Sequence, residues 1–437
     1  MTETLTIKNF GGIKFLEIEI KPITVLIGPQ ASGKSICAKL LFYFRHFNRH
    51  IVDFIVSRKA IEQLVPNYCQ TFREYFPASS WGNEAFEITY RTTKDFLKVT
   101  RSSQDKQAIN LNYGDFHRET IAIQNRSYQI VAKAIDSIQN SPLESWESER
   151  LAPQTLINTL GSHSEGRIPI NQIFIPASRS IFSILQENYF SLLIDNQSFD
   201  PLIQRFGAFY ERIKRFRGTF YEVFSESNDL AHASIKELID EILSSKYIQE
   251  DNLDFLVHKD KRKVRISEAS SGQQETLPLV LTLAALVGSK TSFNQKNSIY
   301  IEEPEAHVFP STQKKIVELI ATAFKYRESQ SDFFITTHSP YILTAINNLL
   351  QAGELYSKAI NRPDIIEKAN KIVPAFKALN HDEIAVYSLD NAQCLSILDP
   401  ETGLISASQI DEVSDEIGSE FDSVLDLLSE EFYAKAG

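Results

Sequence analysis

Apolar and polar positions alternate from the first residues. Thr4-Leu5-Thr6-Ile7 has a period of two, Gly11-Gly12 interrupts it, and Phe15 to Ile20 resumes it. Ile23 to Ile27 is instead a continuous β-branched run, as expected of a strand covered on both faces. Ile36 to Phe44 then reads as a helix. Further along, Phe86 to Tyr90 and Phe96 to Thr100 alternate as a hairpin, with another strand expected over Ala108 to Tyr113 and helical character from Tyr128 to Ile138. Gln172 to Pro176 is a second short buried strand. Residues 181–250 read as mostly helical, with apolar positions spaced by three and four at Leu202, Ile203, Phe206, Phe209, Tyr210 and Ile213. From residue 264 a strand–loop–helix rhythm returns: helix Leu277 to Leu286, strand Ser298 to Ile301, helix Thr312 to Phe324, strand Phe333 to Thr337. The tail predicts a strand pair, Ile384 to Leu389 and Cys394 to Leu398, and a helix from Glu416 to Phe432.

Strands alternating with helices at both ends predict an α/β fold with a largely parallel sheet. The expected core comprises residues 1–44, 168–180 and 264–437. It is interrupted by a mixed insertion with the hairpin at 45–167 and by a helical arm at 181–263. No internal repeat or low-complexity tract is visible.

Composition adds boundaries to this picture. The 437 residues are 43% hydrophobic and 23% charged, as in ordinary globular proteins. No apolar run approaches the roughly 20 residues that span a bilayer, and the first residues lack a signal-peptide pattern. A cytoplasmic protein with no membrane partner is expected. Cys37, Cys69 and Cys394 are scattered, which argues against a zinc site or a disulfide framework. A net charge of −11 gives no support to nucleic acid as the default partner.

The chemistry concentrates in four segments. Gly28, Pro29, Gln30, Ala31, Ser32, Gly33, Lys34 and Ser35 match GxxxxGK[ST] between an apolar strand and a helix. Backbone N–H groups of such a loop point at phosphate oxygens, and the helix N-terminus adds positive potential. Lys34 would reach the β/γ-phosphates and Ser35 a Mg²⁺ ion; Cys37, in the first turn beyond, joins them as a nucleotide-binding candidate. The strand Ile299 to Ile301 runs into Glu302-Glu303, and two acids there are costly unless they meet a cation or donor. Glu302 is the candidate Mg²⁺ ligand and Glu303 the candidate base that orients or deprotonates water. Ser270, Ser271, Gly272, Gln273 and Gln274 open an apolar helix, a second ready anion site. His338 ends the strand Phe333 to Thr337 and is placed to donate to a γ-phosphate.

Read together, IEEPEAH, ITTHSP and the four-motif order resemble the ABC-type ATPases of the SMC/RecF/OLD group, and most of all the OLD-like ATPases of bacterial defence systems. The resemblance covers residues 1–45 and 168–345. Phe174-Ile175-Pro176-Ala177-Ser178-Arg179 is similar to a segment such proteins carry near their Q-loop, which brings Arg179 into the candidate site. The resemblance implies ATP and Mg²⁺ as cofactors and a head-to-tail dimer or larger homo-oligomer. In it Ser271 and Gly272 would touch the γ-phosphate of the other copy's nucleotide, with His338 as switch histidine. Three positions depart from the family: Glu302 where many ABC proteins have Asp, Gln273 in place of the second signature glycine, and Phe309 where relatives often have a second histidine.

OLD proteins typically append a Toprim nuclease, whose metal site needs a strand-end Glu and a separate DxD. Residues 345–437 contain no such pair. The resemblance therefore implies an ATPase acting on a separate effector, a Toprim-type nuclease or a toxin, with a phage protein or DNA as trigger. Standalone ATPase subunits of anti-phage systems such as PARIS share this composition. A RecF-like DNA-repair or DNA-maintenance ATPase is the alternative, with Lys259 to Arg265 and Arg212 to Arg217 as basic candidates. The long insertion disfavours a transporter subunit.

Overall fold

The computed structural model describes residues 3–57, 59–101, 108–138, 171–184, 200–215, 230–250, 253–288, 296–326, 331–390, 392–406 and 418–427. The chain opens with strands β1 (Glu3–Phe10), β2 (Ile13–Ile20) and β3 (Ile23–Ile27). Helices α1 (Lys34–Val56) and α2 (Leu64–Tyr75) follow, then β4 (Phe86–Arg91), β5 (Phe96–Arg101), β6 (Asn110–Tyr113) and α3 (Asp115–Ile138). Next come β7 (Asn171–Ile175), α4 (Ser180–Ile184), α5 (Pro201–Arg215), α6 (Leu230–Leu243), β8 (Lys246–Glu250), β9 (Leu253–Val257) and β10 (Lys263–Arg265). The last part holds α7 (Ser271–Gly288), β11 (Asn297–Glu302), α8 (Pro310–Tyr326), β12 (Ser331–Thr337), α9 (Pro340–Lys358), α10 (Pro363–Asn370), β13 (Ile384–Asp390) and β14 (Gln393–Ser396).

The α/β class read from the sequence holds. A six-stranded sheet runs β14-β13-β3-β12-β11-β7, parallel throughout except for the edge strand β14. Its central strands β11 and β12 are buried at every position because both faces are covered. Ile299 and Ile301 of β11 enter one core with helices α6 to α9, while Tyr300 between them enters a second core with α1, α2 and the other sheet. That other sheet is antiparallel, ordered β2-β1-β4-β5-β6. The hairpin therefore does not stand apart from the N-terminal strands: β4 pairs directly with β1, Ile7 opposite Ile88.

Residues 181–250 are less uniformly helical than their pattern suggests. Helices α4, α5 and α6 are present, but the segment ends in β8, which joins β9 and β10 in a small antiparallel sheet. Strands this short show too few alternations to be told from loop; only Tyr247 in β8 and Asp254 and Leu256 in β9 are fully buried. Residues 185–199 and 216–229 lie outside the described residues. The tail strands form as expected, and the described part of the final helix is 418–427. β13 pairs in parallel with β3, Val386 opposite Val25, which places the tail beside the strand that leads into the phosphate loop.

Helix α7 is buried at every residue from Glu275 to Gly288 and contains Pro278. A proline inside a helix leaves the carbonyl four residues earlier without its donor. Here the Ser183 hydroxyl donates to Gln274 O at 2.6 Å, so that carbonyl is satisfied from α4.

A pH dependence of stability follows from the seam between α1 and α2. His50 packs on the Tyr68 ring, and its buried Nε2 has no hydrogen-bond partner. Burial, with Arg205 and Lys59 nearby, lowers its pKa to about 4. His46, 3.4 Å from Arg205, is shifted in the same direction, again chiefly by burial. The unfolded chain thus binds more protons than the folded one between the ordinary histidine value and about 4, and stability must fall as pH drops through that window. Denaturant melts from pH 7 to 4 should show this fall, and His50→Gln should flatten part of it. An unchanged slope in the variant would remove His50 as the cause.

Candidate functional site

All five parallel strands present their C-terminal ends to one edge of the sheet, where a ligand crevice forms in open α/β sheets. The phosphate loop follows β3, Pro176 to Arg179 follow β7, Glu303 follows β11 and His338 follows β12. Segments separated by 300 residues in sequence thereby meet.

The loop is shaped by its neighbours. A Cβ on Gly28 would sit 2.0 Å from Leu389 O of β13, so only glycine fits. Gly33, at φ 102, starts α1, and no side chain caps that helix. Its first N–H groups are thus left to an external acceptor. Pro29, Gln30, Ala31 and Ser35 are exposed; Ser32 is half-buried.

Lys34 is only 5% exposed and is held from several sides. Its Nζ donates to Gly28 O at 2.8 Å, Pro29 O at 2.6 Å and Ser32 Oγ at 3.3 Å, and lies 3.3 Å from His338 Nδ1. Burial lowers its pKa, opposed by Glu303 and Glu305. His338 Nε2 lies 2.8 Å from Glu303 Oε1. An ammonium can only donate, so Nδ1 is the acceptor and Nε2–H donates to the carboxylate. One imidazole therefore connects the loop lysine to the second strand-end acid.

Glu302 points elsewhere. It is 7% exposed; its Oε2 accepts from Ala177 N at 3.3 Å, while its buried Oε1 has no protein partner. Burial raises its pKa, and the Ser35 hydroxyl hydrogen-bonded to it works in the opposite direction. A half-satisfied carboxylate beside a hydroxyl is an oxygen donor set suited to Mg²⁺, an ion that takes one or two protein ligands and completes its shell with water and phosphate. Among the described residues no cluster of three or more His, Cys, Asp or Glu would hold a metal without such help.

Arg179 lies wholly inside the protein. Its guanidinium donates to Glu302 O at 2.7 Å, Glu303 O at 2.9 Å, Pro176 O at 3.1 Å and Glu275 O at 3.0 Å. It clasps the backbone of both strand-end acids. Glu303 needs such support because its φ of 44° is unfavourable for a residue with a side chain. Its N–H is fixed as well, donating to Thr336 O at 2.8 Å. The sequence reading brought Arg179 to the site by resemblance and assigned it no contact.

Two sequence candidates lie differently from the rest. The Cys37 thiol is fully buried in the core around α1, and its N–H donates to Gly33 O at 3.1 Å. The Ser270–Gln274 turn is not joined to the loop of its own chain by any hydrogen bond among the described residues. Ser270 and Ser271 are exposed, and Gly272 packs so closely that a Cβ would meet His307 O at 2.7 Å. Gln273, the departure from the family's glycine, braces the turn: its Oε1 lies 3.1 Å from Ser270 Oγ and its Nε2 donates to Leu243 O at 2.8 Å. Gln274 Nε2 donates to Ile266 O and Ser267 O. Both glutamine side chains turn inward and leave Ser270 and Ser271 as the exposed surface, with Gly272 half-buried beside them. Phe309 is 76% exposed.

The basic candidates are partly neutralised. Lys263 pairs with Glu250, Arg262 with Asp260 and Lys214 with Asp254; residues 216–217 lie outside the described residues.

A lysine-bearing phosphate loop, two strand-end acids and a histidine come together at one edge of the sheet, and a family model covers most of those elements. Residues 161–343 match the AAA ATPase domain family. That span includes Arg179, Ser270–Gln274, Glu302, Glu303 and His338; the phosphate loop precedes it. No curated protein sequence matches the chain. Among solved structures, an Smc head bound to the C-winged helix domain of ScpA aligns over 90% of this chain and 97% of that one, at 13% identity and a TM-score of 0.41. The SMC head domain of Thermotoga maritima aligns over 91% and 98%, at 10% and 0.34. An ATP-binding cassette of an ABC transporter, in its ADP conformation, aligns over 90% of each chain, at 11% and 0.29. At TM-scores this low, nothing about chemistry follows from these likenesses. Among the described residues, no helix is long and apolar enough to cross a membrane.

Proposed function

We propose that the chain binds ATP with Mg²⁺ at the loop Gly28–Ser35 and hydrolyses it between two head-to-tail copies. The observation that carries this reading is the His338 imidazole placed at once against Lys34 and Glu303. Lys34 and the α1 N-terminus would take the phosphates; Ser35 and Glu302 would hold Mg²⁺, which supplies charge neutralisation on the phosphate oxygens. Glu303 would orient and deprotonate water, with His338 reporting the γ-phosphate. The exposed Ser270 and Ser271, with Gly272 between them and Gln273, support a role on the second copy's nucleotide, since among the described residues no hydrogen bond joins this turn to the phosphate loop of its own chain. The finer reading is a regulatory ATPase of a bacterial anti-phage system that holds a separate effector; the OLD-like motifs support it.

Turnover and light scattering test the core of this proposal together. With ATP and Mg²⁺ the chain should release phosphate, and ATP should favour self-association over ADP; EDTA should abolish turnover. Turnover that persists in EDTA, or association indifferent to ATP, overturns the shared metal-dependent site. Co-expression with the neighbouring gene product should give a stable complex, and a strictly solitary protein argues against the effector.

A further inference from the structure

Glu305 has no part in the assignments above, yet it touches the residue on which they turn. Its Oε1 accepts a hydrogen bond from the backbone N–H of His338 at 2.6 Å, while its other oxygen, Oε2, is buried without a protein partner. The bond spans from the turn after β11 to the first residue beyond β12. The parallel pairing of β12 with β3 ends at Thr337 opposite Ile27, so the next N–H has no ladder acceptor. A carboxylate in that place gives it a charge-assisted bond, stronger than a neutral one.

The two acids act on different parts of one residue. Glu303 meets the His338 ring, and Glu305 holds its main chain. The ring nitrogens engage Lys34 on one side and Glu303 on the other, which requires the His338 Cα to be fixed in both position and tilt. Ser339 fixes the following step, since its Oγ caps α9 by accepting from Tyr341 N. Glu305 fixes the preceding one. Displacements near 1 Å at a reacting group change rates by about 10²-fold.

We infer that Glu305 is a positioning residue: it acts through His338 and touches neither water nor phosphate. This rests on the ATPase reading given above. Glu305→Ala should lower kcat on the order of tenfold to a hundredfold with KM changed by less than about threefold. Glu305→Gln keeps an oxygen acceptor for the His338 N–H and should restore kcat to within a few-fold. In a double-mutant cycle, Glu305→Ala added to His338→Ala should cost almost nothing more, because its effect passes through the ring that is already gone.

A loss in Glu305→Ala that adds in full to that of His338→Ala, or a Glu305→Gln variant as slow as the alanine, overturns the inference. A second readout does not depend on turnover. In protein labelled at histidine, the His338 ring signals, assigned by their loss in His338→Ala, should shift in Glu305→Ala and return in Glu305→Gln. If the native chain fails to hydrolyse ATP, the ATPase reading falls, and the ring signals still decide the role of Glu305: signals unmoved in the alanine variant refute it.

Discussion

Glu303→Gln should bind ATP with native affinity and turn it over on the order of 10² to 10⁴ times more slowly, the range lost with a positioned general base. The amide is isosteric, and its oxygen can still accept from His338 Nε2–H, so the 2.8 Å contact and the local backbone persist. Only the ability to take a proton from water disappears. In the proposed dimer, hydrolysis would separate the two copies clasping one nucleotide, so the variant should also accumulate as an ATP-stabilised dimer. Phosphate release and sedimentation, measured on the same preparation, check both outcomes. Hydrolysis at the native rate would remove Glu303 from the role of base.

Lys34→Ala should weaken ATP binding by on the order of a hundredfold or more, since it deletes a buried charged donor from the proposed phosphate site. The Nζ makes three hydrogen bonds within the loop and a fourth contact with His338. A γ-phosphate would compete for this cation with Gly28 O and Pro29 O, and a substitution removes it from both. The thermal midpoint offers a direct measurement. ATP should raise it for the native chain by linkage, and the same concentration should leave the variant unmoved. Lys34→Arg should not rescue binding, because a planar guanidinium does not fit where a compact ammonium reaches two carbonyls. A variant that retains the ATP-dependent rise refutes the assignment.

The phosphate loop, the strand-end acids and the histidine were legible in the sequence because their chemistry demands particular residue types in a particular local setting. The loop needs its glycines between strand and helix, and two adjacent acids after a buried strand demand cations or donors. What was not legible depended on distant approach. Nothing around Arg179 announces that its guanidinium will close over the carbonyls of residues more than 120 positions away. The same holds for Glu305, whose partner is a backbone N–H with no identity of its own. Gln273 looked like a defect in an anion-binding turn and is its brace. Cys37 sits one helical turn from the loop, but the rotation of α1 points it into the core. The small sheet of β8 to β10 escaped because three- to five-residue strands offer too few alternations to score.

The placing of β3 bears on when the molecule gains its chemistry during synthesis. This strand precedes its partners in the sheet by about 300 residues or more: they are β12, at 331–337, and β13, at 384–390. The carbonyl that confines Gly28 belongs to Leu389. A growing chain thus carries the complete phosphate-loop sequence through the synthesis of about 350 further residues before the wall that confines Gly28 exists. Pairings this distant also form slowly. Fragments that stop before residue 384 should have no grip on nucleotide, which binding assays on such truncations would check.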